Sequence, residues 1–221
     1  KYDALLLRLS SEVSRWIDRE CKRTFYPRLA TRRFTVDAAQ RGLWIPDLVS
    51  ITSVEYSEDD GATYTAMAAT DYITTVAGNY NALDSYTLLE IDRNGDFSYW
   101  PTGQRSIRIV GIWGCTDDRA LCWEDTGDTV ENNPLAVGGA SLTVNDVDGL
   151  DLVGAFERFQ AGQLYRIESE YVETTLARDT TGNTIGILRG RNGTTAAAHL
   201  QNVAIDVWRA AEPVRQACVI Q

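Results

Sequence analysis

Apolar positions at the start of the chain are spaced for a helix. Leu5, Leu6, Leu9, Val13, Trp16, Ile17 and Cys21 recur at steps of three and four, the spacing that gathers side chains on one helical face. Pro27 lacks an amide hydrogen and biases Tyr26 towards extended geometry, so the helix is expected to end over 24–27. From residue 31 the period falls to two. Runs at 33–36, 43–45, 51–56, 72–76, 86–91 and 106–113 are rich in β-branched and aromatic residues. Turn clusters such as Glu58-Asp59-Asp60-Gly61, Asp92-Arg93-Asn94-Gly95-Asp96 and Pro101-Thr102-Gly103 separate them. Strands that follow one another with no helix between predict antiparallel pairing.

Residues 114–140 break the rhythm. Asp117, Asp118, Glu124, Asp125, Asp128 and Glu131 precede Asn132-Asn133-Pro134 and Gly138-Gly139, a composition that reads as a linker or long surface loop. A second series of strands is expected at 141–144, 162–167, 171–176, 184–188 and 203–208. Arg191-Asn192-Gly193-Thr194 is expected to make a tight hairpin turn, because Asn-Gly supports the positive φ angles such a turn needs. Pro213 then sits in the first turn of a second helical pattern that runs to Gln221.

The expected fold class is therefore α+β: terminal amphipathic helices packing together, an antiparallel β domain, and a second small all-β (barrel/sandwich-like) module. Its divisions are 1–122 for the N-terminal helix and β domain, 123–140 for an acidic linker and 141–209 for the inserted module. Residues 210–221 are read as the start of a C-terminal helix returning to the first. The first residue is not Met and the last lies inside a helical pattern, so both terminal helices are expected to continue beyond the sequence.

The chain's 221 residues, 44% hydrophobic and 24% charged, suffice for one sizeable core or two small ones. No apolar run nears the roughly 20 residues that span a bilayer, and the start lacks a signal-peptide pattern, so the expectation is a soluble protein with no membrane partner. The net charge of −10 is uneven: residues 1–41 hold ten Lys/Arg against five Asp/Glu, and residues 42–221 hold eleven against twenty-six. So broad an acidic surface argues against coating nucleic acid, which needs clustered cations. Within the basic segment, Arg8, Arg15, Arg19 and Arg23 are candidates for an anion-facing or assembly surface, although a solvated helix face is the ordinary place for such residues.

No GxSxG, GxxxxGK[ST], HExxH or strand-to-helix GxGxxG occurs. The one histidine, His199, has no evident partner for general-base work. Asp92, Asn94 and Asp96 alternate like the opening of a calcium loop, but Phe97 stands where glycine is needed and no glutamate follows at the twelfth position, so a polar turn is expected. Cys115 and Cys122 are separated by six residues with no CxxC, and with Cys21 and Cys218 they read as free thiols rather than metal ligands. No enzyme activity, metal or cofactor is expected. Trp44 and Trp113 fall in alternating runs and read as core or sheet-face residues, whereas Trp100, beside Pro101 in a loop, reads as the exposed aromatic contact.

Three phrases resemble a known family. Ile17-Asp18-Arg19-Glu20-Cys21-Lys22-Arg23-Thr24-Phe25 is similar to the helix end with a Cys-x-Arg-x-Phe phrase common in head-to-tail connector (adaptor) proteins of tailed bacteriophages. The stretch from Tyr99-Trp100-Pro101-Thr102-Gly103 to Ile112-Trp113-Gly114 resembles the close of that family's β region, and Pro213-Val214-Arg215-Gln216-Ala217 resembles its closing helix. Leu188-Arg189-Gly190-Arg191-Asn192-Gly193-Thr194 is similar to a β module found in several phage virion proteins, and departs from the smallest connector subunits, whose β region passes directly into the last helix.

The resemblance implies a non-enzymatic virion protein of the neck between capsid and tail, made in the host bacterial cytoplasm. It implies a homo-oligomeric ring of about twelve copies formed by head-to-tail contacts. The implied partners are the portal protein, a stopper or tail-tube (tail-completion) protein, and genomic DNA passing without sequence-specific binding. Candidate assembly residues are Arg8, Arg15, Arg19, Arg23, Trp100, Arg191, Asn192 and Arg215. An acidic channel would let DNA slide without sticking. The competing expectation is a tail-tip or baseplate-associated β protein that uses its aromatics to bind a host glycan or protein.

Overall fold

The computed structural model describes residues 3–77, 81–152, 154 and 157–211. It is mostly β, with 42% strand in two antiparallel sheets and 11% helix. The α+β architecture with packed terminal helices is thereby overturned. A single α-helix, α1 (Asp3–Cys21), occurs among the described residues, and the closing pattern over 212–221 lies outside them. The chain divides into two compact units, residues 22–120 in one and α1 with residues 121–209 in the other. The first helix thus groups with the second β module, not with the β domain that follows it in sequence.

In the first unit, β1 (Arg28–Val36), β2 (Gly42–Tyr56), β3 (Thr65–Ala66), β4 (Tyr72–Thr75), β5 (Tyr86–Ile91) and β6 (Gly103–Trp113) form one sheet. The order is β1-β6-β2-β5-β4, with β3 on β2. The expected strands at 43–45 and 51–56 are one continuous β2. Its register with β5 shifts between Trp44 and Leu48, and from Leu48 onward it pairs with β6, with further shifts between Leu48 and Ser50 and between Ile51 and Ser53. Strict alternation seats Leu43, Ile45, Leu89, Ile91, Ile107, Ile109 and Trp113 in the core, each such burial worth about 1.5–3 kcal/mol. Gly111 is required by close packing, since a Cβ there would overlap the Ser50 carbonyl oxygen on the neighbouring strand.

The second unit carries β7 (Trp123–Thr129), β8 (Ser141–Thr143), β9 (Leu164–Ile167), β10 (Glu170–Asp179), β11 (Thr184–Leu188) and β12 (Ala204–Trp208), in the order β7-β12-β9-β10-β11-β8. Its two outer strands are bridged: Glu131 N–H donates to Thr143 O at 2.8 Å, and the Asn132 side chain bonds Ser141 O at 3.3 Å and Thr143 N–H at 2.8 Å. The segment just past β7 thus reaches β8, and the sheet packs on a core of Val130, Leu135, Leu142, Tyr165, Ile167, Val172, Ile185 and Ile205. Residues 123–140 are not a linker, because they supply β7 and the core residues Val130 and Leu135. The inward positions of β7 are polar, Thr126 and Asp128, so no apolar alternation marks the strand. Nor does the Asn-Gly turn join a hairpin. Residues 191–193 form a 3-10 turn, and the strand that follows, β12, pairs with β9 and β7 instead of β11.

Candidate assembly surfaces

α1 presents an uncovered apolar stripe. Leu5, Leu6, Leu9, Val13 and Trp16 are all exposed, while Leu7, Ser14, Ile17 and Asp18 are half-buried. Leu7 lies over Gly162, where a Cβ would collide with it. The periodicity identified an amphipathic helix, but the face that meets the module is not the larger apolar one. Arg15 and Arg19 are exposed on this helix, and Arg8 pairs with Glu12 one turn on at 3.0 Å.

Arg23 stays exposed but is engaged. Its guanidinium lies 3.3 Å from Asp47 and donates to Cys115 Sγ at 3.4 Å. Burial raises the Asp47 carboxyl above its ordinary value, against the opposing charges of Arg23 and Arg32. Burial first, and then Asp47, pushes the Cys115 thiol up to about 11, which leaves it protonated and inert at neutral pH. Cys115 and Cys122 are buried and Cys21 is exposed.

Trp100 is not a surface contact. It is 1% exposed, joins the core of the first unit and is held by its backbone N–H on Gln40 O at 3.0 Å. Residue 100 lies outside the strands, yet its indole packs into the core. Trp44 is the exposed one, at 70%, because Leu43 and Ile45 on either side of it point inward. Arg191 pairs with Glu173 at 2.8 Å, and Asn192 takes a left-handed backbone at φ 49° within the 3-10 turn. Arg215 lies outside the described residues.

The Arg-Gly-Arg-Asn-Gly phrase and His199 belong to one buried polar cluster that spacing alone did not reveal. Glu170, with no exposed side-chain surface, accepts from Arg189 Nε and Nη2 at 2.7 and 2.6 Å and from the backbone N–H groups of Gly190 and Ala197 at 2.9 and 3.0 Å. His199 Nε2 stands 2.8 Å from the same carboxylate, and its Nδ1 stands 2.7 Å from Glu168. Arg189 also donates to the carbonyls of Ala136, Gly139 and Ala197. Burial would raise the Glu170 carboxyl, but the bonds from Arg189, Ala197, His199 and Gly190 outweigh it and hold it at about 2. A carboxylate and guanidinium so fully used fasten the 189–199 crossover to β10.

Asp128 plays the same part across the module. Its two oxygens accept from the N–H groups of Thr129, Asn145 and Asp146 and from Arg158 Nη1 at 3.0 Å. In the calcium-like turn, Asp92 Oδ1 accepts from Asn94 N–H at 2.9 Å. Asp71 braces the turn by accepting from Asp96 N–H at 2.9 Å. No group of three or more potential ligands positioned for a metal occurs among the described residues. Asp59 caps its turn: bonds from the Ser57 hydroxyl and from the Thr63 N–H and hydroxyl hold its carboxyl at about 2.

The basic segment is sharpened by the fold. α1 itself is near balance, with Arg8, Arg15 and Arg19 against Asp3, Glu12, Asp18 and Glu20. The positive charge sits in residues 22–41, where Lys22, Arg23, Arg28, Arg32, Arg33 and Arg41 face only Asp37. Three of these arginines lie on β1, the outermost strand of the first sheet. Comparisons of this chain with protein families, with curated proteins and with solved structures find no match.

Proposed function

We propose that this chain is a structural virion protein of a tailed bacteriophage, a head-to-tail connector subunit that assembles into a ring between portal and stopper or tail and lines the DNA exit channel. The observation that carries the reading is the exposed stripe Leu6, Leu9, Val13 and Trp16 on α1. A run of large apolar side chains on one face of a three-to-four-residue repeat is stable in water chiefly when another surface covers it. The polar clusters support the same reading, because Glu170 and Asp128 are consumed in fastening loops to strands and Asp71 in joining two turns. The three phrases shared with connector proteins supply the family to which the reading points. Imaging the purified protein alone and with portal protein tests it. Rings that cap the portal are the expected result, and a chain that stays monomeric and fails to bind portal overturns it.

A specific observation favours one other reading. Trp44 at 70% exposure, with exposed Ile73 two strands away on the same sheet, is a surface on which a host glycan or protein could stack. Glycan-array binding that is lost in Trp44→Ala, with no portal binding, would replace the connector reading by a tail-tip or baseplate role.

A further inference from the structure

The open edge of the first sheet and the acidic skin of the second module are complementary, although they belong to different units. β1 pairs with β6 without interruption from Arg28 opposite Trp113 to Phe34 opposite Ile107, and no strand pairs with its other side among the described residues. Arg28, Thr31, Arg33 and Thr35 are exposed along this edge, and β1 carries three arginines with no acid. The Arg32 guanidinium sits over the Trp113 ring at 4.3 Å.

Residues 121–209 hold six arginines against thirteen carboxylates, a net −7. Five of the six are spent inside the module, in Arg158–Asp128, Arg166–Asp206, Arg178–Glu157, Arg189–Glu170 and Arg191–Glu173. The excess carboxylate is therefore displayed outward. Asp146 and Asp148 are exposed on one turn, next to the exposed apolar side chains of Leu150 and Leu152.

We infer that the β1 edge of one copy docks the acidic 146–152 face of the second module of a neighbouring copy, so that each subunit offers one basic and one acidic surface. The inference rests on the ring reading above and names two surfaces that would meet between neighbouring subunits of that ring, besides the α1 stripe. Charge decides the occupant. A second β1 in antiparallel pairing would set arginines against arginines, which is unfavourable, whereas the module's surface offers carboxylates and two leucines. A contact between two different faces is head-to-tail, the geometry that closes rings. Because the attraction is between exposed charges, it weakens as salt shortens the screening length.

The test is sedimentation velocity of the full chain and of charge-reversed chains. Arg28→Glu/Arg33→Glu and Asp146→Arg/Asp148→Arg alter exposed side chains, and circular dichroism checks that each variant keeps the wild-type β signal. Each double reversal is expected to raise the concentration for half-assembly by at least about tenfold, and the quadruple reversal is expected to restore it. Rings that persist unchanged in both double reversals overturn this inference and leave the connector reading standing. A wild-type chain that forms no ring, alone or with portal protein, overturns both. If either double reversal loses the β signal, the single changes Arg33→Gln and Asp148→Asn are measured in its place, where a shift of less than about twofold in both counts against the inference.

Discussion

Glu170→Gln is the substitution on which the physical account of the second module depends most. Wild-type Glu170 receives five hydrogen bonds, two of them from an Arg189 whose side chain is only 9% exposed. The amide keeps the shape but removes the charge, and it turns an NH2 group towards donors. Arg189 is left as a buried cation with no counter-charge, a loss of about 3–5 kcal/mol. That energy corresponds to about two to four decades in the equilibrium for opening the 189–199 crossover. Hydrogen exchange followed by mass spectrometry reads it directly, because the Gly190 and Ala197 amides are bonded to this carboxylate. Peptides covering 189–199 are expected to exchange far faster in the variant, while peptides from β1 and β6 in the other unit stay unchanged. The same carboxylate carries a pH signature. Its value is depressed from 4.5 to about 2, so its contribution is fully present above about pH 4.5 and is lost as pH falls towards 2. Wild-type protein should lose protection of 189–199 on acidification through that window, and the variant should show no such limb. Unchanged exchange in the variant, within about threefold of wild type at neutral pH, would refute the claim that Glu170 fastens this segment.

Three further outcomes follow from the geometry. Trp100→Ala is expected to lower stability to urea by about 3–5 kcal/mol, as for a buried aromatic, while Trp44→Ala changes it by less than about 0.5 kcal/mol; equal effects would contradict the exchange of burial between these residues. Among the described cysteines, a maleimide at pH 7.5 should label Cys21 promptly, and Cys115, protonated and enclosed, only after denaturant is added; tryptic peptide mapping distinguishes them. Gly111→Ala drives a methyl group into the Ser50 carbonyl and is expected to cost about 1–3 kcal/mol in urea unfolding, with no cost meaning that β6 and β2 are not packed as described.

The local periodicities in the sequence settled the helix over 3–21 and most of the strands, because each depends only on which neighbouring positions are apolar. They did not settle partners. α1 has the stripe of a packed helix, yet it touches its module through Leu7 and leaves Leu6, Leu9, Val13 and Trp16 outside, since periodicity states that a face is apolar and not what covers it. β7 was invisible because its inward residues, Thr126 and Asp128, satisfy their polarity through bonds to Ile205, Asn145, Asp146 and Arg158 that lie far off in sequence. His199 and Glu170 stand 29 residues apart and meet only when the crossover lies against β10. Trp44 and Trp100 exchanged places for a related reason: the faces of β2 and the path of a loop across the sheet are decided by the whole core. Composition disclosed a basic beginning and an acidic remainder, but only the tertiary structure put that basic charge on an open sheet edge, because strand order is a property of the folded chain and not of any segment in it.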